Sequence, residues 1–363
     1  KISISNGIGF FYTSFGEYAK ALNQYEKSLQ VAEELRREIS QIGALLEIGS
    51  TYLFLEQPDQ ALANFRKALT LSQKKEHHLF LPNVFLNLGM AYRKKKQAVP
   101  ALTMLRQAAG LSQQNHDLRS AARALNEMGQ IYREAAQFEL SRTTHTQALA
   151  FFQQTHDPFG ESQTLHHLAR TEYALGNAAA SLSRLQSAIE LIEKTRTSVM
   201  NPTLRASYLA SVHQSYEFLV DLLMQRKQAT GQDHFAGEAL TSSERSRARS
   251  LLDLLNESHT QIKQGVDASL LEKERSLLKL LNNKADEKMR LAGKQEQELA
   301  AINQEIADIN TEIEKVHDKI REASPHYAAL RQPQPLKAPE IQQLLDENTM
   351  LLEFALGTER SYV

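Results

Sequence analysis

The chain has no cysteine and no tryptophan among its 363 residues, and its 42 basic and 43 acidic side chains leave a net charge of only −1. Without cysteine there can be no disulfide, no thiolate metal site and no cysteine nucleophile within it. Near-neutrality removes any global pull toward nucleic acid or anionic lipid. No apolar run approaches the ~18–20 residues that cross a bilayer, so neither membrane nor nucleic acid is an expected partner, and the expected location is cytoplasmic. Lys1-Ile2-Ser3-Ile4-Ser5 lacks the apolar core of a signal peptide. It also lacks an initiator Met, so we expect the natural protein to begin earlier. No Gly-rich phosphate loop and no H-x-x-x-H spacing occurs. The adjacent pairs His77-His78 and His166-His167 point to different helix faces. His78, His116 and His156 recur between repeats, but equivalent positions lie two helix diameters apart, at 8–10 Å per packed pair, far beyond a ~2 Å coordination bond. No metal, cofactor or catalytic residue is expected within the chain.

What is present is repetition. Ile8-Gly9-x-x-Tyr12, Ile48-Gly49-x-x-Tyr52, Leu88-Gly89-x-x-Tyr92 and Met128-Gly129-x-x-Tyr132 recur every forty residues, with a weaker fifth copy at Leu168-Ala169 and Tyr173. Each is followed by a second cluster, such as Ala21, Tyr25 and Ser28, then Ala61, Phe65 and Ala68, then Ala101, Leu105 and Ala108; later copies drift to Ser141, His145 and Ala148, then Ser181, Leu185 and Ala188. A small residue where two helices cross, with a bulky one facing it, is how a helix pair packs closely. These residues resemble the tetratricopeptide repeat family over roughly residues 2–198. The usual period there is about thirty-four residues, so each helix here should gain about three residues, on the order of 4–5 Å. The family's first-helix tryptophan is absent; Ser5, Leu45, Phe85 and Leu125 take its place. The resemblance implies an all-α fold, a right-handed solenoid of five helix pairs over 1–198.

Beyond Asn201-Pro202 the period is lost. A divergent sixth pair or cap is expected over 199–260, with Leu204, Tyr208, Val212, Tyr216, Leu219 and Leu223 along its first helix. Over 266–324, Leu299, Ile302, Ile306, Ile309, Ile313, Val316 and Ile320 keep a seam of alternating three and four. An antiparallel helical hairpin turning near Gly293 is the first reading; a coiled coil joining two copies stays open. Pro325, Pro333, Pro335 and Pro339 then punctuate a linker within 325–363. Ile341–Leu345 reads as a short helix, Thr349–Gly357 as a strand, and Arg360–Val363 as the start of a second. The Ser243-Glu244-Arg245 to Leu255 helix, the hairpin, and Leu344 to Phe354 are similar to the approach to a CHAT domain, over roughly residues 236–363. That resemblance implies a bacterial protein in which repeats precede a caspase-like protease with a His–Cys dyad. Neither partner of the dyad carries over onto a position of this sequence.

The expected working surface is the inner wall of the solenoid, which the first helices line in the tetratricopeptide family. Counting from the glycine or alanine anchors, Leu86, Met90 and Arg93, then Asn126, Gln130 and Arg133, then His166, Arg170 and Tyr173 should face inward, with Lys94 and Arg123 nearby. Arginines along one strip can hold acidic side chains by charge-assisted hydrogen bonds, although any exposed helix face also carries arginines. Asn126 is suited to bond a peptide backbone. The family's clamp of Lys and Asn for terminal carboxylates is not reproduced as a set. Arg245, Arg247 and Arg249 sit among Glu238, Glu244 and Asp253 with no interleaved aromatics, which does not fit nucleic acid. The expectation is a groove for a protein or peptide, acidic in part, that controls an attached protease domain. The competing reading is a purely structural assembly module, with a homodimer through the helical hairpin.

Overall fold

The computed structural model describes residues 2–196, 202–257, 267–291, 296–323, 336–357 and 360–363. The chain divides into two compact units, one of residues 1–239 together with 354–363, the other of residues 240–353. The first begins with ten helices: α1 (Ile2–Ser14), α2 (Tyr18–Glu34), α3 (Glu38–Phe54), α4 (Pro58–Ser72), α5 (Leu81–Lys94), α6 (Ala98–Gln114), α7 (Leu118–Glu134), α8 (Phe138–Gln154), α9 (Pro158–Ala174) and α10 (Ala178–Arg196). Consecutive helices pack against each other throughout, giving an all-α solenoid of helix pairs.

The beat is set by the turns. Most helices hold 17 residues and begin every twenty, at Tyr18, Glu38, Pro58, then Ala98, Leu118, Phe138, Pro158 and Ala178. Eight of the nine gaps between these helices have one residue with positive φ: Gly16, Arg36, Glu56, Lys96, His116, Ala136, His156 and Gly176. The hydrogen bonds repeat as well. Glu56 N–H donates to Leu53 O at 3.2 Å and Gln57 N–H to Tyr52 O at 2.9 Å. That pair of bonds closes a helix end around one left-handed residue, and Gln57 is already the cap of the next helix. Only Gly16 and Gly176 adopt this conformation without Cβ strain. Ala136→Gly is therefore expected to stabilise the chain by about 0.5–1 kcal/mol, read as a higher thermal midpoint; a lower midpoint would contradict the turn geometry.

The anchors behave as close crossings. A Cβ built on Gly49 would lie 2.3 Å from the Phe65 ring, on Gly9 2.6 Å from Tyr25, on Gly89 2.5 Å from Leu105, and on Gly129 2.6 Å from His145. In the fifth pair Ala169 and Leu185, both fully buried, take these places. One joint departs from the beat: between α4 and α5 a 3-10 helix, Lys75–Phe80, replaces the left-handed turn and leaves α5 with 14 residues.

After the repeats, α11 (Pro202–Thr230) and α12 (His234–Glu257) follow. Tyr216, Leu219, Val220, Leu222 and Leu223 of α11 join Leu182, Leu185 and Ile189 of α10 in one core with Phe235 and Ala239. Residues of the expected sixth pair before His213 and from Ala248 onward have side chains outside the described set.

In the second unit, α13 (Ala268–Leu291) and α14 (Glu296–Ala323) run antiparallel: Leu270, Leu271 and Leu277 meet Val316 and Ile320, whereas Lys284 reaches back to Glu305 at 2.6 Å. Ile302, Ile309, Ile313, Val316 and Ile320 are buried. The connection around Gly293, like Pro325, Pro333 and Pro335, lies outside the described residues. A last helix, α15 (Ala338–Leu344), precedes two short strands, β1 (Ala355–Leu356) and β2 (Ser361–Tyr362), paired antiparallel with Ala355 opposite Tyr362. The strand expected from Thr349 is thus confined to two residues. Met350, Leu351 and Leu352 are exposed and have no ladder partner among the described residues.

Candidate functional site

A cleft of about 530 Å³ opens on the first helices of the third to fifth pairs. Leu86, Met90 and Arg93 of α5 and Arg123, Asn126, Glu127 and Gln130 of α7 form one side. Phe159, Gln163, His166 and His167 of α9, with Gln214 and Ser215 of α11, complete it. The cleft therefore brings together Arg93, Arg123, Asn126, Gln130 and His166 from the sequence expectation. Lys94, Arg133 and Arg170 do not line it. Lys94 donates instead to Glu56 at 2.6 Å, and the Arg170 guanidinium lies 5.5 Å from the Phe218 ring centre.

Several of the gathered side chains are already engaged with neighbouring repeats. Arg93 Nη1 donates to Gln130 Oε1 at 3.1 Å and Glu134 Oε1 at 3.0 Å, and its Nε lies 2.9 Å from Glu127 Oε2. His166 Nδ1 is bonded to Ser215 Oγ at 3.0 Å. Asn126 is buried, and both ends of its amide are used. Thr164 Oγ1 gives its proton to Gly160 O, so it must accept from Asn126 Nδ2, at 2.7 Å. Asn126 Oδ1 then faces His145 Nδ1 at 3.0 Å, which has to be the N–H donor. The expectation that Asn126 offers itself to a peptide backbone is corrected accordingly: it ties α7 to α8 and α9.

This chain of bonds fixes Nδ1 of His145 as a nitrogen that carries a proton. The His145 ring is fully buried, stacks on His167 with centres 5.4 Å apart, and its Nε2 has no hydrogen-bond partner among the described residues. Burial, and secondarily the charge of Arg133, push its pKa down to about 3. Burial, with Arg170 and Arg133, pushes His166 down to about 4. His167 falls well below the usual imidazole value for the same leading reason. Beside the cleft thus lie three neutral histidines among arginines, an arrangement that favours negative charge nearby and resists added protons. Of the cleft's own charges, Glu127 faces Arg93, and Asp157 pairs with Arg119 at 3.0 Å while capping α9 through Gly160 N–H. Arg123 is exposed on the cleft wall, and none of the described carboxylates forms an ion pair with it.

A second cluster lies at the irregular joint. Glu38, Glu76 and His77 bring ligand-type atoms within 4.8 Å of one another. Glu38 accepts from Lys74 and contacts His77 Nε2 at 3.0 Å, so an ammonium group already supplies the positive charge that a metal would bring.

Tetratricopeptide repeat models match residues 2–36, 40–114 and 120–194, together more than half of the sequence. The chain belongs to the tetratricopeptide repeat family, whose solenoids are protein-interaction scaffolds. Among solved structures, apo RapI is 13% identical, with 88% of this chain and 99% of that one covered and a TM-score of 0.52. BtubC from P. vanneervenii is 21% identical, covering 53% of this chain and 79% of that one at a TM-score of 0.47. A STAND signal-transduction ATPase with a tetratricopeptide repeat sensor from Pyrococcus horikoshii is 14% identical, covering 71% and 42% at 0.48. At these identities the likeness concerns the fold alone. No curated protein matches the sequence. Among the described residues no helix is long and apolar enough to cross a membrane.

Proposed function

We propose that the α5–α7–α9 cleft holds an extended segment of a partner protein, and that this binding regulates a caspase-like domain attached to the repeats. The supporting observation is the cleft's lining: carboxamides of Gln130, Gln163 and Gln214 that can both donate to and accept from a peptide backbone, beside apolar Leu86, Met90 and Phe159. Arg123 gives the partner an acidic preference, since it is the cleft cation left without a described carboxylate. Arg93 is already neutralised by Glu127 and Glu134, so the preference falls on Arg123. Catalysis is assigned to the attached domain rather than to these residues, and the working location is the cytoplasm.

Selection of random ten-residue peptides on phage against the whole chain tests this reading. Peptides carrying Asp or Glu at a fixed position should be enriched, and Arg123→Glu should abolish or invert that enrichment, a contact of about 1.5–3 kcal/mol or 10- to 100-fold in affinity. No enrichment of any peptide family would remove the cleft assignment.

The assembly reading draws on α1. Ile4, Ile8 and Phe11 are 67%, 41% and 54% exposed, whereas their equivalents Ala44, Ile48 and Thr51 are at most 3% exposed. Light scattering separates the two readings: a monomer at micromolar concentration disfavours assembly through that face.

A further inference from the structure

Helix α11 presents one stripe, Ser215, Phe218, Asp221 and Gln225, spaced by three, three and four residues, and this stripe touches two places at once. At its upper end Gln214 and Ser215 line the cleft, with Ser215 bonded to His166 of α9. One turn on, the Phe218 ring stands edge-on to His166, centres 6.1 Å apart, and to Tyr173, 5.9 Å apart at 83°, and it carries the Arg170 guanidinium. Tyr173 donates its hydroxyl proton to Gln225, whose amide donates to Asp221 at 2.7 Å. At the lower end Asp221 holds the C-terminal strand pair. Arg360 Nε lies 2.9 Å from Asp221 Oδ1, and the Tyr362 hydroxyl donates to the same carboxylate at 2.5 Å. Ala355 and Tyr362 also pack on the core that α11 shares with α10.

We infer that occupancy of the cleft and docking of the 354–363 strand pair on α11 are coupled through this stripe. The inference rests on reading the cleft as the place a partner occupies, and it gives that reading its regulatory output. An occupant filling the cleft must meet Gln214 and Ser215, and any shift of α11 that follows carries Phe218 and Asp221 with it, because they lie on one rigid helical face. A two-residue ladder has almost no stability of its own, so Asp221 and the α11 core decide whether the strand pair stays docked. Coupling then requires only that the docked and released forms accept an occupant unequally, and the same factor acts in both directions.

The absence of cysteine makes the test specific. Gln163→Cys places one thiol in the cleft of the full chain, and fluorescein-5-maleimide then serves as an occupant of known position. Hydrogen exchange of peptides covering 352–363 should change at least threefold on labelling. In Asp221→Ala the strand pair should exchange at least tenfold faster before labelling, with helical content retained by circular dichroism. Equal exchange with and without the label in the Gln163→Cys chain overturns the coupling, as does an Asp221→Ala chain whose strand pair stays as protected as before. Because the occupant is covalent, these outcomes do not depend on the peptide selection: selection can fail while coupling holds, or the reverse.

Discussion

Gly49→Leu is expected to cost about 4 kcal/mol and lower the midpoint of thermal unfolding by about 8–16 °C. The crossing of α3 and α4 is close: a Cβ on Gly49 would lie 2.3 Å from the Phe65 ring, which is fully buried. A smaller change gives a sharper test. On an unhindered helix Gly→Ala stabilises by about 0.5–1 kcal/mol, whereas Gly49→Ala should destabilise by about 2 kcal/mol because overpacking outweighs propensity. The fifth pair shows the compatible solution, Ala169 against Leu185. Gly49→Ala combined with Phe65→Leu should therefore be at least about 1 kcal/mol better than the sum of the single changes. A Gly49→Ala chain that melts higher than the parent would show that the crossing is not close.

The second large effect is loss of stability in mild acid. His145 and His166 have folded-state pKa values near 3 and 4, below the ordinary imidazole value of 6.5 that applies in the unfolded chain. Between those limits the unfolded chain binds the extra protons, so stability is fully present above about pH 6.5 and falls as pH drops. At pH 5 each group should have removed about 2 kcal/mol, roughly 4 kcal/mol for the two together. Urea unfolding followed from pH 7 to pH 5 measures this directly. Replacing His145 and Asn126 together by leucine copies the third pair, where Leu86 and Leu105 hold these places, and keeps Thr164 satisfied through Gly160. The pair of substitutions should remove the His145 share of the acid dependence and leave that of His166 and His167. An unchanged slope would mean that His145 is not the proton-excluding group.

The solenoid was legible because its signals are local and repeated: a small residue sixteen positions before a bulky one, five times over. The turns were only partly legible. Gly16 and Gly176 announce a left-handed residue, but Arg36, Glu56, Lys96, His116, Ala136 and His156 adopt it with no compositional mark. They are held there by the two hydrogen bonds that close each helix end. The 3-10 segment at Lys75–Phe80 had no distinct signature either; its Glu38 partner is more than thirty residues away.

The cleft was legible as a face but not as a set of roles. Counting from the anchors places Arg93, Asn126, Gln130 and His166 on the inner wall, and the cleft includes all four. What periodicity could not show is that inner-wall side chains also tie one first helix to the next. Asn126 reaches Thr164, Arg93 reaches Glu127 and Glu134, and His166 reaches Ser215. Those partners lie in other helices, and Ser215 belongs to a helix with no repeat register at all. His145 stands where other pairs carry Tyr25, Phe65, Leu105 or Leu185, so its substitution was visible. Its bond to Asn126 required the folded chain.

The twenty-residue beat also limits how a gene for such a chain can lengthen or shorten. One residue gained or lost inside a helix rotates everything downstream by about 100°, throwing the Gly and Ala crossings off their partners in every later pair. Tolerable insertions are therefore whole pairs, or residues added where the rhythm is already broken, at Lys75–Phe80. Duplication in complete units is the route by which this architecture can grow.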